Sequence, residues 1–66
     1  MITVYTQDNC PKCKILKKKL DGKNIEYVEC NDIDIMLTKG VESVPVIELD
    51  GNMFDYANAV KWVNEV

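Results

Sequence analysis

The feature that most constrains this chain is a cysteine pair, Cys10 and Cys13, which follows an apolar stretch and opens a lysine-rich segment. On a helix this spacing brings the two α-carbons to about 5–6 Å, a distance that a disulfide accepts. Pro11 suits the first turn of a helix, where its missing N–H would have no intrahelical partner. The sequence therefore predicts a helix that starts at Cys10, with Cys10 facing solvent and Cys13 about one turn further in.

The length of the chain limits where its chemistry can lie. We interpret the 66 residues as one domain, residues 1–66. A domain of this size buries only about 60% of the surface of its unfolded chain, so a functional site must be short. The sequence has no apolar run of membrane-spanning length and no basic start typical of a secretory signal, so we expect a cytoplasmic protein.

Charge is distributed unevenly around the cysteine pair. The net charge is −3, but five lysines lie within the ten residues that begin at Cys10, while nine acidic residues and two lysines follow from Glu26 onward. This balance argues against nucleic acid as the main partner. The lysine run is more typical of the solvated face of a helix than of a binding patch.

The count of cysteines and histidines excludes several kinds of site. The chain has three cysteines and no histidine. An odd number does not suit a secreted disulfide framework, and a cysteine–histidine hydrolase is excluded. Zinc usually needs four ligands, so a module that binds zinc or an iron–sulfur cluster shared between chains is a less favoured alternative, and we expect no bound metal. Cys30 is interpreted as a small buried hydrophobic residue rather than a redox thiol.

Hydrophobic periodicity and turn residues predict seven elements in the order β-α-β-α-β-β-α. The predicted strands cover residues 2–5, 24–30, 44–49 and 52–54, and the predicted helices cover residues 10–20, 33–39 and 56–65. The first strand, helix and strand favour a parallel pair joined by a crossover. Asp50-Gly51 predicts a tight hairpin, and Asp55 is a predicted cap for the last helix. This order is typical of a layered α/β domain.

Each predicted helix has an apolar face that we expect to pack on the sheet. These faces are Cys13, Ile15, Leu16 and Leu20 in the first helix, Ile33, Met36 and Leu37 in the second, and Ala59, Val60, Trp62 and Val63 in the last. Trp62 is expected to lie in the core rather than to serve as a ligand platform. Asp21-Gly22 is expected to end the first helix.

Three motifs make the chain resemble the glutaredoxins, which are small members of the thioredoxin-fold superfamily. Residues 5–13 read Tyr-Thr-Gln-Asp-Asn-Cys-Pro-Lys-Cys, Ser43-Val44-Pro45 opens the third predicted strand, and the Asp50-Gly51 hairpin leads into the last helix. The resemblance implies a thioredoxin-like fold, with a mixed four-stranded sheet flanked by three helices. It also implies a monomeric dithiol–disulfide oxidoreductase without a bound cofactor.

The resemblance also implies a substrate site around the cysteine pair. In glutaredoxins the proline that matches Pro45 is cis and lies beside the dithiol, so Val44 would offer its backbone N–H and C=O to the cysteine of a substrate. The residues implicated in substrate binding are Tyr5, Gln7, Pro11, Lys12, Val44, Pro45 and Asp55.

We expect the two cysteines to have different roles. A thiolate, not a thiol, attacks a disulfide. Cys10 is predicted to be the nucleophile because a helix N-terminus stabilises negative charge, and Lys12 adds a nearby cation. Cys13 would then resolve the mixed disulfide by attacking Cys10. A binding module that kept the fold and lost the chemistry is a further alternative.

The chain departs from glutaredoxins where those proteins hold glutathione. They usually carry a Gly-Gly pair and then an acidic residue after the hairpin, whereas residues 55–58 here read Asp-Tyr-Ala-Asn, and Gln7 replaces a lysine found in many relatives. The expected partner is therefore either a protein that contains a disulfide or glutathione. The expected electron donor is either a reductase or glutathione. The other alternative is a redoxin that serves ribonucleotide reductase and is reduced by thioredoxin reductase.

Overall fold

The fold is a four-stranded mixed sheet with three helices, described for residues 2–66 by a computed structural model, so that Met1 lies outside the described part. The strands are β1 (Ile2–Tyr5), β2 (Val28–Cys30), β3 (Val46–Leu49) and β4 (Asn52–Phe54), and the helices are α1 (Pro11–Gly22), α2 (Ile33–Thr38) and α3 (Tyr56–Glu65). The strand order is β2-β1-β3-β4. β1 and β2 are parallel, and the other two pairs are antiparallel. The predicted fold class and the predicted parallel pair are confirmed.

The main core lies between one face of the sheet and helices α1 and α3. It consists of Ile2, Val4, Leu16, Leu20, Ile47, Ala59 and Val63, all of which are buried. Trp62 packs against this cluster, and the centroid of its ring lies 6.4 Å from that of Phe54. Trp62 is therefore only half-buried and lies against the core rather than within it. Because Leu16 and Leu20 hold α1 against the sheet, they also determine where the cysteine pair lies.

The opposite face of the sheet carries a smaller cluster of buried residues. Tyr5, Met36, Val41 and Val46 form a second cluster of buried residues there. The apolar face predicted for the second helix is only partly buried, because Met36 is buried while Ile33 and Leu37 are 58% and 69% exposed. The reason is that α2 has only six residues, fewer than two full turns, and turns one side chain onto the sheet.

Helix α1 differs from its prediction at two places. It continues to Gly22, and the residue with a left-handed backbone is Asn24, at φ 57°, rather than the glycine. Ile15 is half-exposed, because the buried face of α1 has the spacing of Cys13, Leu16 and Leu20. A residue adjacent to Leu16 lies about 100° around the helix from that face.

Two strands start later than predicted. The predicted hairpin turn between β3 and β4 and the predicted cap of α3 are confirmed. Residues 24–27 and 44–45 precede β2 and β3 rather than belonging to them. The hairpin turn has φ 51° at Asp50 and 83° at Gly51, and positive φ at both central residues is the geometry of a tight type I′ hairpin. The Asp55 carboxylate accepts the N–H of Asn58 at 2.9 Å and caps α3.

Candidate active site

The cysteine pair lies where the loop that follows β1 enters α1. Asn9 has φ 58°, a left-handed conformation that asparagine tolerates, and it turns the chain toward the helix. Cys10 is the N-cap of α1 and Pro11 is its first residue, as the sequence predicts. Cys10 and Cys13 are joined by a disulfide, and their α-carbons are 5.2 Å apart. The spacing of the two cysteines therefore accommodates a disulfide at the N-terminus of the helix.

The two sulfur atoms have different environments. Cys13 is only 1% exposed, whereas Cys10 is half-buried. The backbone N–H of Cys13 donates to Cys10 Sγ at 3.1 Å. In the reduced protein this N–H and the dipole of α1 would favour negative charge on Cys10. The accessible sulfur is thus also the one better placed to become a thiolate.

Lys12 adds a positive charge close to the cysteine pair. Its Nζ lies 5.4 Å from the centroid of the Tyr56 ring, within the range of a cation–π interaction. The first turn of α1 contains no acidic residue. The Lys12–Tyr56 contact links the N-terminal turns of α1 and α3 and holds the ammonium group on that side of the site.

The peptide bond between Val44 and Pro45 is cis, as the resemblance implies. Pro45 is buried and Val44 is half-buried. In the antiparallel register Tyr5 is paired with Val46, the residue after Pro45. The Val44-Pro45 bond and the loop that leads to Cys10 therefore lie at the same end of the two central strands.

Tyr5 lies beneath the site rather than at its surface. Its side chain is 2% exposed, and its hydroxyl donates to Glu48 Oε1 at 2.5 Å. The Nζ of Lys39, the C-cap of α2, lies 3.4 Å from the same carboxylate. This placement favours a structural role for Tyr5 over the substrate contact implied by the resemblance. Sequence reasoning missed the Tyr5–Glu48–Lys39 network, because only the register of β1 against β3 brings its members together.

The network shifts the ionisation of both of its acids. The hydrogen bond to Glu48, followed by burial, raises the pKa of Tyr5 to about 12. The same hydrogen bond lowers the pKa of Glu48, and the nearby Lys39 ammonium lowers it further. At neutral pH the Glu48 carboxylate is therefore contacted by the protonated hydroxyl of Tyr5 and by Lys39.

The remaining predicted substrate residues are at the surface. Pro11 and Lys12 are exposed on α1. Gln7 is exposed and lines a cavity of about 490 Å³ together with Val44, residues of α2 and the segment 40–43. The Asp55 carboxylate is exposed but engaged in capping α3.

Cys30 is separate from the disulfide. It is a free cysteine at the end of β2, half-buried against the cluster around Tyr5, and its carbonyl accepts the N–H of Thr6 at 2.9 Å. This is less burial than the sequence interpretation assumed. Within residues 2–66, the structure places no group of three or more His, Cys, Asp or Glu side chains where they could hold a metal ion. No helix of the described part is long and apolar enough to cross a membrane.

The topology of the sheet and a cysteine pair at the start of α1, with a cis-proline at the neighbouring end of β3, define a thioredoxin-fold protein with a redox-active dithiol. The glutaredoxin family model matches residues 2–54, and the chain belongs to this family. Members of the family are thiol–disulfide oxidoreductases, and this chain is one.

Three known proteins illustrate the relationship. The chain is 41% identical over 61 residues to a glutaredoxin-like 8.6 kDa protein in the rubredoxin operon of Clostridium pasteurianum, with 80% of each chain covered. It is 33% identical over 60 residues to the glutaredoxin-like protein NrdH of Lactococcus lactis subsp. cremoris, covering 82% of this chain and 83% of that one. The crystal structure of the thioredoxin-like protein BC3987 superimposes with a TM-score of 0.80 at 26% identity, covering 98% of this chain and 97% of the other.

Proposed function

We propose that this protein reduces disulfides in other proteins through Cys10 and Cys13. The observation that carries the proposal is the inequality of the two sulfurs. Cys10, at the N-cap of α1, is the more exposed of the two residues and its Sγ accepts the Cys13 N–H at 3.1 Å, whereas Cys13 is buried. An accessible, stabilised thiolate attacks first, and a buried partner that can reach it attacks second.

The proposed reaction transfers two electrons from the dithiol to the substrate. The Cys10 thiolate attacks one sulfur of the substrate disulfide, so that a mixed disulfide forms, the substrate S–S bond breaks and the first substrate thiolate leaves and takes up a proton. Cys13 then loses its proton and attacks Cys10 Sγ. This step forms the Cys10–Cys13 disulfide, the state in which the two residues are linked here, and releases the second substrate thiolate.

The surrounding residues have proposed roles in binding the substrate. Val44 would pair its backbone N–H and C=O with an extended segment that carries the substrate cysteine. Pro45 would hold Val44 in place just before β3. Lys12 would stabilise the thiolates that form and leave, because it lies in the first turn of α1 between the two cysteines. Gln7 would contact the substrate from the loop before Cys10.

A protein disulfide is favoured over glutathione as the substrate. The Asp55 carboxylate occupies the N-terminus of α3, where its oxygen accepts the Asn58 N–H. An anionic ligand at that position would meet a negative charge instead of free N–H groups. Gln7 is neutral and cannot form an ion pair with a carboxylate of glutathione.

A second candidate is a redoxin that donates electrons to ribonucleotide reductase and is itself reduced by thioredoxin reductase. The 33% identity to the glutaredoxin-like protein NrdH of Lactococcus lactis favours this role. In either role we propose a monomeric single domain, residues 1–66, that works in a reducing compartment such as the cytoplasm.

Single cysteine variants test the roles of the two thiols. We expect Cys10→Ser to abolish reduction of a protein disulfide. Cys13→Ser should release one thiol per molecule and stop at the mixed disulfide, which mass spectrometry detects. Cys30→Ser is the matched control and should retain the full rate. Full reductase activity in Cys10→Ser, together with its loss in Cys13→Ser, would reverse the assignment.

The electron donor is tested by coupling the oxidised protein to NADPH. One reaction contains glutathione and glutathione reductase, and a parallel reaction contains thioredoxin reductase. We expect faster NADPH oxidation with thioredoxin reductase. Faster turnover with glutathione would contradict the preference inferred from Asp55 and Gln7.

A further inference from the structure

Helix α2 leaves large apolar side chains in solvent. Ile33 and Leu37, whose exposure is given above, lie one turn apart and line the same cavity of about 490 Å³. Its floor contains the buried residues Met36 and Val41. We call this cavity, with its lining on α2 and residues 40–44, the α2 groove. Its volume is in the range of about 300–1,000 Å³ that is typical of ligand sites.

The α2 groove is continuous with the proposed substrate site. Gln7, in the loop before Cys10, and Val44, which is proposed to pair with the substrate backbone, both line it. A segment that pairs with Val44 therefore runs past the groove. Because side chains of an extended segment alternate between two sides, some of them would point toward α2.

The chemistry of the groove favours an apolar occupant. Among the described residues that line it, Glu42 alone carries a charge, and no lining residue is a cation. A carboxylate would find no counter-ion here. A large aliphatic or aromatic side chain would cover Ile33 and Leu37 and remove their apolar surface from water.

We propose that the α2 groove binds a large apolar side chain of the substrate protein, within a few residues of the cysteine that Cys10 attacks. This inference rests on the proposed function and adds to it the class of sequence that the protein selects. Ile33 and Leu37 are then residues that determine specificity, and they act by contact with the substrate.

Two peptide disulfides that differ only in the residues flanking the cysteine test this inference. Each is a symmetric dimer of a short peptide with one cysteine, flanked at the second and third positions on both sides by leucine in one peptide and by serine in the other. Hydroxyethyl disulfide, which has no side chain for the groove, is the reference substrate. We expect kcat/KM to be about tenfold higher for the leucine peptide.

Lysine substitutions on α2 locate the source of that preference. Leu37→Lys and Ile33→Lys should bring the ratio of kcat/KM for the two peptides close to one. Ile35→Lys is the matched control, because Ile35 is on the same helix, is 45% exposed and does not line the groove. It adds the same charge and should keep the tenfold preference.

The possible outcomes separate this inference from the proposed function. If the wild-type protein reduces hydroxyethyl disulfide but does not distinguish the peptides, or if Leu37→Lys and Ile33→Lys keep the preference, the groove proposal is refuted and the reductase function stands. If the wild-type protein reduces none of the three disulfides, the proposed function fails and the groove proposal fails with it.

A structural measurement gives an independent test. In Cys13→Ser linked to the leucine peptide through Cys10, NMR should show shifted methyl resonances for Ile33, Leu37 and Val41, and unshifted ones for Ile35. The serine peptide should leave all four unchanged. Equal shifts with both peptides, or none at Ile33 and Leu37, would overturn the proposal.

Discussion

Replacing Tyr5 by phenylalanine removes one hydroxyl from the interior. The substitution tests the role of the hydrogen-bond network of Tyr5, Glu48 and Lys39. Tyr5 donates to Glu48, which also pairs with Lys39 at the end of α2. Phenylalanine keeps the ring packed against its cluster and deletes only the hydrogen bond. The substitution therefore asks whether Tyr5 stabilises the fold or contacts the substrate.

The expected loss of stability is modest and measurable. A hydrogen bond to a charged group contributes about 1.5–3 kcal/mol. After allowance for the water that reaches the remaining carboxylate, we expect Tyr5→Phe to lower the free energy of unfolding by about 1 kcal/mol. For a domain of this size, that corresponds to a fall in Tm of about 4–8 °C.

The effect should depend on pH in a defined direction. The pKa of Tyr5 is raised to about 12 in the folded protein, above the ordinary value of about 10. Folding therefore favours the protonated hydroxyl, and its contribution is complete below about pH 10 and is lost as the pH rises through about 12. At the acid end, the contribution of Glu48 is lost as the pH falls through its lowered pKa.

Urea unfolding, followed by the fluorescence of Trp62 and by circular dichroism, measures the difference between wild type and variant. Tyr27→Phe is the matched control, since its exposed hydroxyl lies 3.3 Å from Asp21 and should contribute less. We expect kcat/KM for a protein disulfide to change less than about twofold in Tyr5→Phe. Unchanged stability together with a large fall in kcat/KM would refute this reasoning and make Tyr5 a substrate contact.

Substitutions at four further positions test how the structure positions the site. Asp55→Ala removes the cap of α3 and should destabilise the fold by about 1 kcal/mol in urea unfolding, whereas Asp55→Asn should retain most of the stability. Gly51→Ala, at φ 83°, should lower the Tm, whereas Gly22→Ala, at the end of α1 with open space around it, should raise it slightly. Leu16→Ala, in the main core, should cost about 2–5 kcal/mol, enough to leave a domain this small mostly unfolded by circular dichroism at 37 °C.

Features that depend on neighbouring residues were predictable from the sequence. The start of α1 at the Cys10-Pro11 step, the Asp50-Gly51 hairpin and the Asp55 cap all follow from interactions within a few positions along the chain. The element order follows from the same local patterns. The expectation that Cys10 is the more accessible thiol also comes from position on one helix.

Features that depend on distant residues were not predictable. An apolar pattern indicates which side chains can be buried, but Ile15, Ile33 and Leu37 stay exposed because no other element covers them. The reason is that burial is decided by how helices and strands pack, whereas periodicity reports only one element at a time.

The sequence by itself determined the chemistry of this protein, because two cysteines at disulfide spacing on a helix need no other part of the chain to form a disulfide. Only the tertiary structure decided what surrounds that dithiol. The register of β1 against β3 joins Tyr5 to Glu48, 43 residues away. The short α2 leaves an apolar groove beside Val44. Both result from packing between distant segments, which local sequence patterns do not record.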